Sequence, residues 1–134
     1  MAGALVLVGT PIGNLGDLSP RAVEALAAAD VVCCEDSRRT GRLLQHAGVR
    51  ARQLLVVNDH NEAQRVGEVL ERLSRGERVA VVTDAGMPGI SDPGERLVAA
   101  ASRDGFVVEV VPGPSAAVAA LVASGLPTGR FVFE

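Results

Sequence analysis

With 134 residues, 48% of them apolar, and a net charge of −3, the chain holds material for one hydrophobic core and carries no overall basic excess of the kind that announces a nucleic-acid binder. No apolar run approaches the ~18 residues of a membrane span, and no charged-then-apolar leader opens the chain, so the expectation is a soluble, cytoplasmic protein without membrane partners. Trp and Tyr are absent and only Phe106, Phe131 and Phe133 are aromatic, which excludes an aromatic base-stacking platform.

Short apolar runs alternate with helical periods along the chain. Residues 4–8 read as a first strand that enters Gly9-Thr-Pro-Ile-Gly-Asn-Leu-Gly-Asp17, after which Ser19 caps a helix over 20–29 with Pro20 in its first turn. The second strand, 31–34, carries Cys33 and Cys34. Adjacent inside an apolar run, they read as buried thiols in a reducing compartment, and with no further clustered ligand no metal site is expected. Glu35-Asp-Ser-Arg38 follows, then a helix over 38–47.

Charge is uneven here. Residues 38–52 hold Arg38, Arg39, Arg42, Arg50 and Arg52 with no acid, whereas the remaining eight arginines face 16 carboxylates. The cluster reads either as a solvated helix face or as a contact for RNA.

A third strand over 53–57 runs into Asn58-Asp-His-Asn-Glu62 and a helix over 61–75. The fourth, 78–82, enters Thr83-Asp-Ala-Gly-Met-Pro-Gly-Ile-Ser-Asp-Pro-Gly94, the most informative stretch of the sequence. Three glycines and two prolines in twelve residues make a shaped loop whose backbone is bare at Gly86 and Gly89. Such connections usually take ~2–6 residues, so this length favours a ligand over a plain turn. Asp92 as N-cap, Pro93 at N1 and Glu95 at N3 predict the next helix, 93–103. A fifth strand, 107–111, leads through Pro112-Gly-Pro-Ser115 into a helix over 115–124. Residues 130–133 read as the start of a further strand, with continuation of the natural protein favoured.

Strands of Val, Leu and Ala without polar alternation indicate burial on both faces, and five such βα repeats predict an α/β fold: an open, mostly parallel sheet with helices on both faces. Ligands bind such sheets beyond the carboxyl ends of the strands, where all five unusual segments fall. The glycines of the first loop are spaced G-x-x-x-G-x-x-G with Pro11 in the turn, and the helix opens ten residues beyond Gly9, so the dinucleotide fingerprint fails. A phosphate-binding P-loop fails too, since the chain has no lysine. What remains is a neutral, backbone-lined surface.

Taken together, the segments at 9–19, 35–38, 40–44, 59–62, 84–94, 112–116 and Ser-Gly-Leu-Pro at 124–127 closely resemble the ribosomal-RNA ribose methyltransferases of the tetrapyrrole methylase superfamily, over essentially the whole chain. The resemblance implies S-adenosyl-L-methionine as methyl donor, held in a cleft between two α/β domains. This chain corresponds to the N-terminal domain, with the C-terminal one absent and the isolated fragment inactive. It also implies methylation of the ribose 2′-hydroxyl of a cytidine in 16S ribosomal RNA of the small ribosomal subunit, by a homodimer. By position it carries donor contacts onto Pro11, Ile12, Met87, Ile90, Ser115 and Ala116, and Asp84 and Gly86 of the long loop complete that expected site. Ser37 stands where the family pattern carries Thr, Asn58 where His is common, and Met87 where Thr is common.

Methyl transfer from a sulfonium needs its acceptor oxygen in line with the methyl group, and a nearby base adds ~10²–10⁴-fold. The rim offers Glu35, Asp36, His60, Glu62 and Asp84. Under this reading Glu35 and Asp36 work beside the acceptor ribose, Arg38 grips an adjacent phosphate, and His60 is an alternative base. The structural readings are that the two acids favour the following helix dipole and that Asn61 caps its helix. Two other functions remain open: carbon methylation of a tetrapyrrole, and a non-catalytic donor-binding or dimerisation module.

Overall fold

The computed structural model describes residues 3–90 and 94–134. Their elements are β1 (Ala4–Val8), α1 (Pro20–Ala28), β2 (Val31–Cys34), α2 (Ser37–Ala47), β3 (Leu54–Val56), α3 (Glu62–Ser74), β4 (Arg78–Val81), α4 (Glu95–Arg103), β5 (Val107–Val111) and α5 (Ala116–Ala123). The sheet has the order β3-β2-β4-β1-β5, and every neighbouring pair is parallel. Among the described residues no helix is long and apolar enough to cross a membrane.

Alternation along the strands divides the core into two layers. Val6, Val32 and Ala80 face Ala22 and Leu26 of α1 and Leu44 of α2, while Leu5, Val31 and Val79 face Val69 and Leu73 of α3 and Leu97 and Ala101 of α4. Helices on both faces are why β1 and β2 carry no charged positions. The same alternation sends Cys34 into the first layer and Cys33 into the second, so the adjacent thiols stay free. Burial pushes Cys33 up to about 12 and raises Cys34 as well.

Local chemistry sets most boundaries. The Ser19 hydroxyl accepts from the Ala22 N–H at 3.1 Å with Pro20 at N1, and α2 stops at Gly48, whose φ is +70°. Three expectations differ from the structure. α4 begins at Glu95, not 93, with Gly94 at the N-cap and φ +129°; the roles given to Asp92 and Pro93 lie outside the described residues. Asn61 sits at the N-cap of α3, but its side-chain oxygen turns back to accept from the Asn58 N–H at 2.8 Å instead of capping. Residues 130–133 form no strand: a strand needs a ladder partner, and none among the described residues reaches them.

Candidate functional site

The loops after β1, β4 and β5 interlock through backbone. Thr10 and Gly86 exchange two hydrogen bonds, Thr10 N–H to the Gly86 carbonyl at 3.0 Å and Gly86 N–H to the Thr10 carbonyl at 3.1 Å. The buried Thr10 hydroxyl donates at 3.4 Å towards the carbonyls of Thr83 and Gly86. On the other side, Gly9 meets Gly113: a Cβ on Gly9 would stand 2.5 Å from the Gly113 Cα and 2.9 Å from the Met87 sulfur. Only glycine lets the first and fifth loops approach so closely. Gly86, at φ +85°, completes the surface, since a Cβ there would meet the Pro114 carbonyl at 3.4 Å and the Ile12 side chain at 3.6 Å. The result is a neutral cradle of closely packed backbone, buried at Gly9 and Gly86 and exposed at Gly113, rimmed by Ile12, Met87 and Pro114, which fits an uncharged ring system better than a phosphate.

The far end of the long loop is anchored from across the sheet. Glu62, the first residue of α3 and buried, accepts the Gly94 N–H at 2.6 Å through its carboxylate. The turn before it is self-tied, with the Asn58 side-chain oxygen accepting from the N–H groups of His60 and Asn61. Glu62 is therefore committed to holding the loop.

On the α1–α2 side of the rim lies a cavity of about 460 Å³, lined by the 10–15 loop, α2 and the end of β4. Thr10, Pro11 and Asp84 face it together with Arg39 and Arg42. One Asp84 carboxylate oxygen is buried without a hydrogen-bond partner among the described residues.

The remaining candidates are spread along the rim. Asp36 is the N-cap of α2. Its carboxylate accepts the Arg38 N–H at 2.9 Å, and that bond, with neighbouring Arg39 and Arg38, holds it below the usual carboxylate range. A carboxylate so stabilised is a weaker proton acceptor. Glu35 is half-buried at the end of β2, and Arg38 is exposed on α2. His60 is exposed on the turn after β3, the sheet edge opposite β5, so it stands away from the cradle. Ser115 caps α5, its hydroxyl oxygen accepting the Val118 N–H at 3.3 Å, with Ala116 next in the exposed first turn; Ile90 is also exposed. The structure thus gathers Pro11, Ile12, Gly86 and Met87, adds Gly9, Gly113 and Pro114 to them, and sets Asp84 beside two arginines. Gly113 belongs to one of the rim segments visible in the sequence, but nothing local foretells its contact with Gly9 or that of Glu62 with Gly94.

The sequence profile of the tetrapyrrole (corrin/porphyrin) methylases matches residues 4–133. Among curated relatives, a ribosomal RNA small subunit methyltransferase I from Synechocystis sp. is 52% identical over 132 residues, covering 98% of this chain and 47% of the relative. The protein of the same name from Xylella fastidiosa is 53% identical, covering 98% and 48%. Among solved structures, a uroporphyrin-III C-methyltransferase from Thermus thermophilus superposes with a TM-score of 0.62 at 31% identity, covering 96% of this chain and 54% of that one. The chain spans about half the length of the curated relatives it matches.

Proposed function

The chain belongs to the tetrapyrrole (corrin/porphyrin) methylases, and from that premise we propose that it is the N-terminal α/β domain of a two-domain methyltransferase. The substrate in this reading is 16S ribosomal RNA of the small subunit, methylated on the ribose 2′-hydroxyl of a cytidine with S-adenosyl-L-methionine as donor. The observation that carries the donor assignment is the Gly9–Gly113–Gly86 cradle, bare backbone with no basic side chain on its rim. A positively charged sulfonium and a neutral adenosine suit that surface, whereas a dinucleotide's phosphates do not. The acceptor assignment leans on the names of the relatives near half identity.

Bound in the cradle, S-adenosyl-L-methionine supplies an electrophilic methyl group. The chain's own contribution is alignment. The Thr10–Gly86 bridge fixes the first and fourth loops against each other, and Glu62 fixes the far end of the fourth, so the donor surface is set before binding. The same proposal makes the whole protein a cytoplasmic homodimer and leaves the 134 residues without turnover, since only one wall of the cleft is present.

A tetrapyrrole acceptor is the second reading, supported by the likeness to the uroporphyrin-III methyltransferase. The drop from 52% identity with the ribosomal relatives to 31% with that enzyme favours RNA. The deciding experiment incubates the full-length protein and methyl-labelled donor with small ribosomal subunits lacking the modification, or with uroporphyrinogen III. Label on a cytidine ribose is the expected result; label on the macrocycle overturns the reading.

A further inference from the structure

We propose that the cavity beside α2 is the acceptor-nucleotide site: one backbone phosphate of the RNA lies against Arg39 and Arg42, and the ribose hydroxyl to be methylated points at Asp84. This rests on the ribosomal-RNA reading above and gives that reading its substrate-side residues.

Three observations converge. The first is the Asp84 carboxylate oxygen, buried and without a hydrogen-bond partner among the described residues. A buried carboxylate oxygen without a donor costs about 1–3 kcal/mol or more, and here it belongs to a residue that lines a cavity large enough for a nucleotide. A ribose hydroxyl is the kind of donor that satisfies it. The second is the pair of arginines. Arg39 and Arg42 stand one helical turn apart, exposed on α2, beside the buried Thr40 and Leu43 that line the same cavity. Arg39 reaches Asp36 only at 4.0 Å, and Arg42 has no ion-pair partner among the described residues. Two guanidinium groups at the mouth of one cavity suit a phosphate.

The third is adjacency. Thr10 and Pro11 line the cavity, and Thr10 is bonded through its backbone to Gly86 of the donor cradle, two residues beyond Asp84. Cavity and cradle share a wall made by the first and fourth loops, as in-line transfer between two bound molecules requires. In that transfer the ribose oxygen bonds to the methyl carbon of the sulfonium donor as the carbon–sulfur bond breaks. The bonding pair stays on sulfur, leaving a neutral thioether, and the hydroxyl proton passes to the Asp84 carboxylate. The candidate acids flanking this site divide by what holds them: Asp36 is committed to its helix cap and Glu62 to Gly94.

The test uses the full-length protein, a short fluorescein-labelled, cytidine-containing oligoribonucleotide read by anisotropy, and donor binding read by calorimetry. The double variant Arg39→Gln/Arg42→Gln changes only exposed side chains. It weakens oligoribonucleotide binding by about ten-fold or more and flattens its salt dependence by about 0.7 per lost phosphate contact, with donor affinity unchanged. Asp84→Asn keeps RNA affinity but lowers kcat by about 10²–10⁴-fold without raising the donor KM. RNA affinity unmoved by the arginine pair overturns the proposal while leaving the ribosomal reading intact. So does an Asp84→Asn variant that loses donor binding with kcat preserved, which returns Asp84 to the donor side. A parent protein that neither binds the oligoribonucleotide nor methylates small subunits overturns both.

Discussion

The β2–β4–β1 part of the sheet and the β5–α5 flank are built from the same residues and end in opposite environments. Every residue of β1 and of β2 is buried, with strands on both edges and helices on both faces. β5 is as rich in valine, yet Val107 and Val110 are half exposed, and α5, Ala-Ala-Val-Ala-Ala-Leu-Val-Ala, buries none of its eight residues. Apolar composition therefore states what a segment is able to bury, and the layers that reach it decide whether burial happens. In the centre those layers come from four helices of the same chain. On the flank β5 has β1 on one edge only, and inward packing is left to Val108 and Val111.

This contrast can be broken by substitution. Leu73→Ala, at a fully buried site under the centre of the sheet, lowers stability of the 134-residue chain by about 2–5 kcal/mol in urea unfolding. Gly9→Ala forces apart the first and fifth loops. It costs about 1–3 kcal/mol and removes donor binding by calorimetry in the full-length protein, because the only relief for its Cβ is to move Gly113. Glu62→Ala leaves the Gly94 N–H buried without its acceptor, also at about 1–3 kcal/mol, and the specific signature is faster hydrogen exchange at Gly94. At the other extreme, Val122→Ala on α5 changes stability by no more than about 0.5 kcal/mol; a loss as large as that of Leu73→Ala ends the comparison.

The pH dependence sharpens the same division. Burial raises the proton affinity of Cys33, so the folded chain keeps a proton that the unfolded chain releases near pH ~8.5. The stabilisation is complete below that pH and is lost as pH rises towards about 12, which makes the parent more alkali-sensitive in urea midpoints than Cys33→Ala. Exposed Asp36 has the reverse sign. Its lowered proton affinity contributes at neutral pH, fades as the medium is acidified below about pH 4, and is absent from Asp36→Asn.

Strands and helices are legible in the sequence because two-sided burial writes uninterrupted Val and Leu runs, and because Ser19-Pro20 marks a boundary by its capping chemistry. The expected strand at 130–133 failed for a reason outside its own residues: pairing depends on a neighbour. The cradle was legible as a density of glycines after three strands, but which glycines touch is a matter of sheet order, and Gly9 meets Gly113 only because β5 lies beside β1. Acidity makes Glu62 readable as a base from the sequence, whereas its bond to a backbone 32 residues away is not visible there. In the same way the arginine cluster was visible as charge, but α2 alone selects Arg39 and Arg42 to face the cavity while Arg52 pairs with Asp30 at 3.1 Å.

The place of β1 between β4 and β5 bears on how the molecule comes into being. Its two ladder neighbours begin at Arg78 and Val107, so the first made of these five strands has neither neighbour until Arg78 and the residues after it have been synthesised. At ~5–20 residues per second that delay is on the order of ten seconds, during which the run Ala4–Val8 stands open as an adhesive edge. Assembly dominated by such distant pairings is slow for its size, and until they form the apolar run is open to association with other chains.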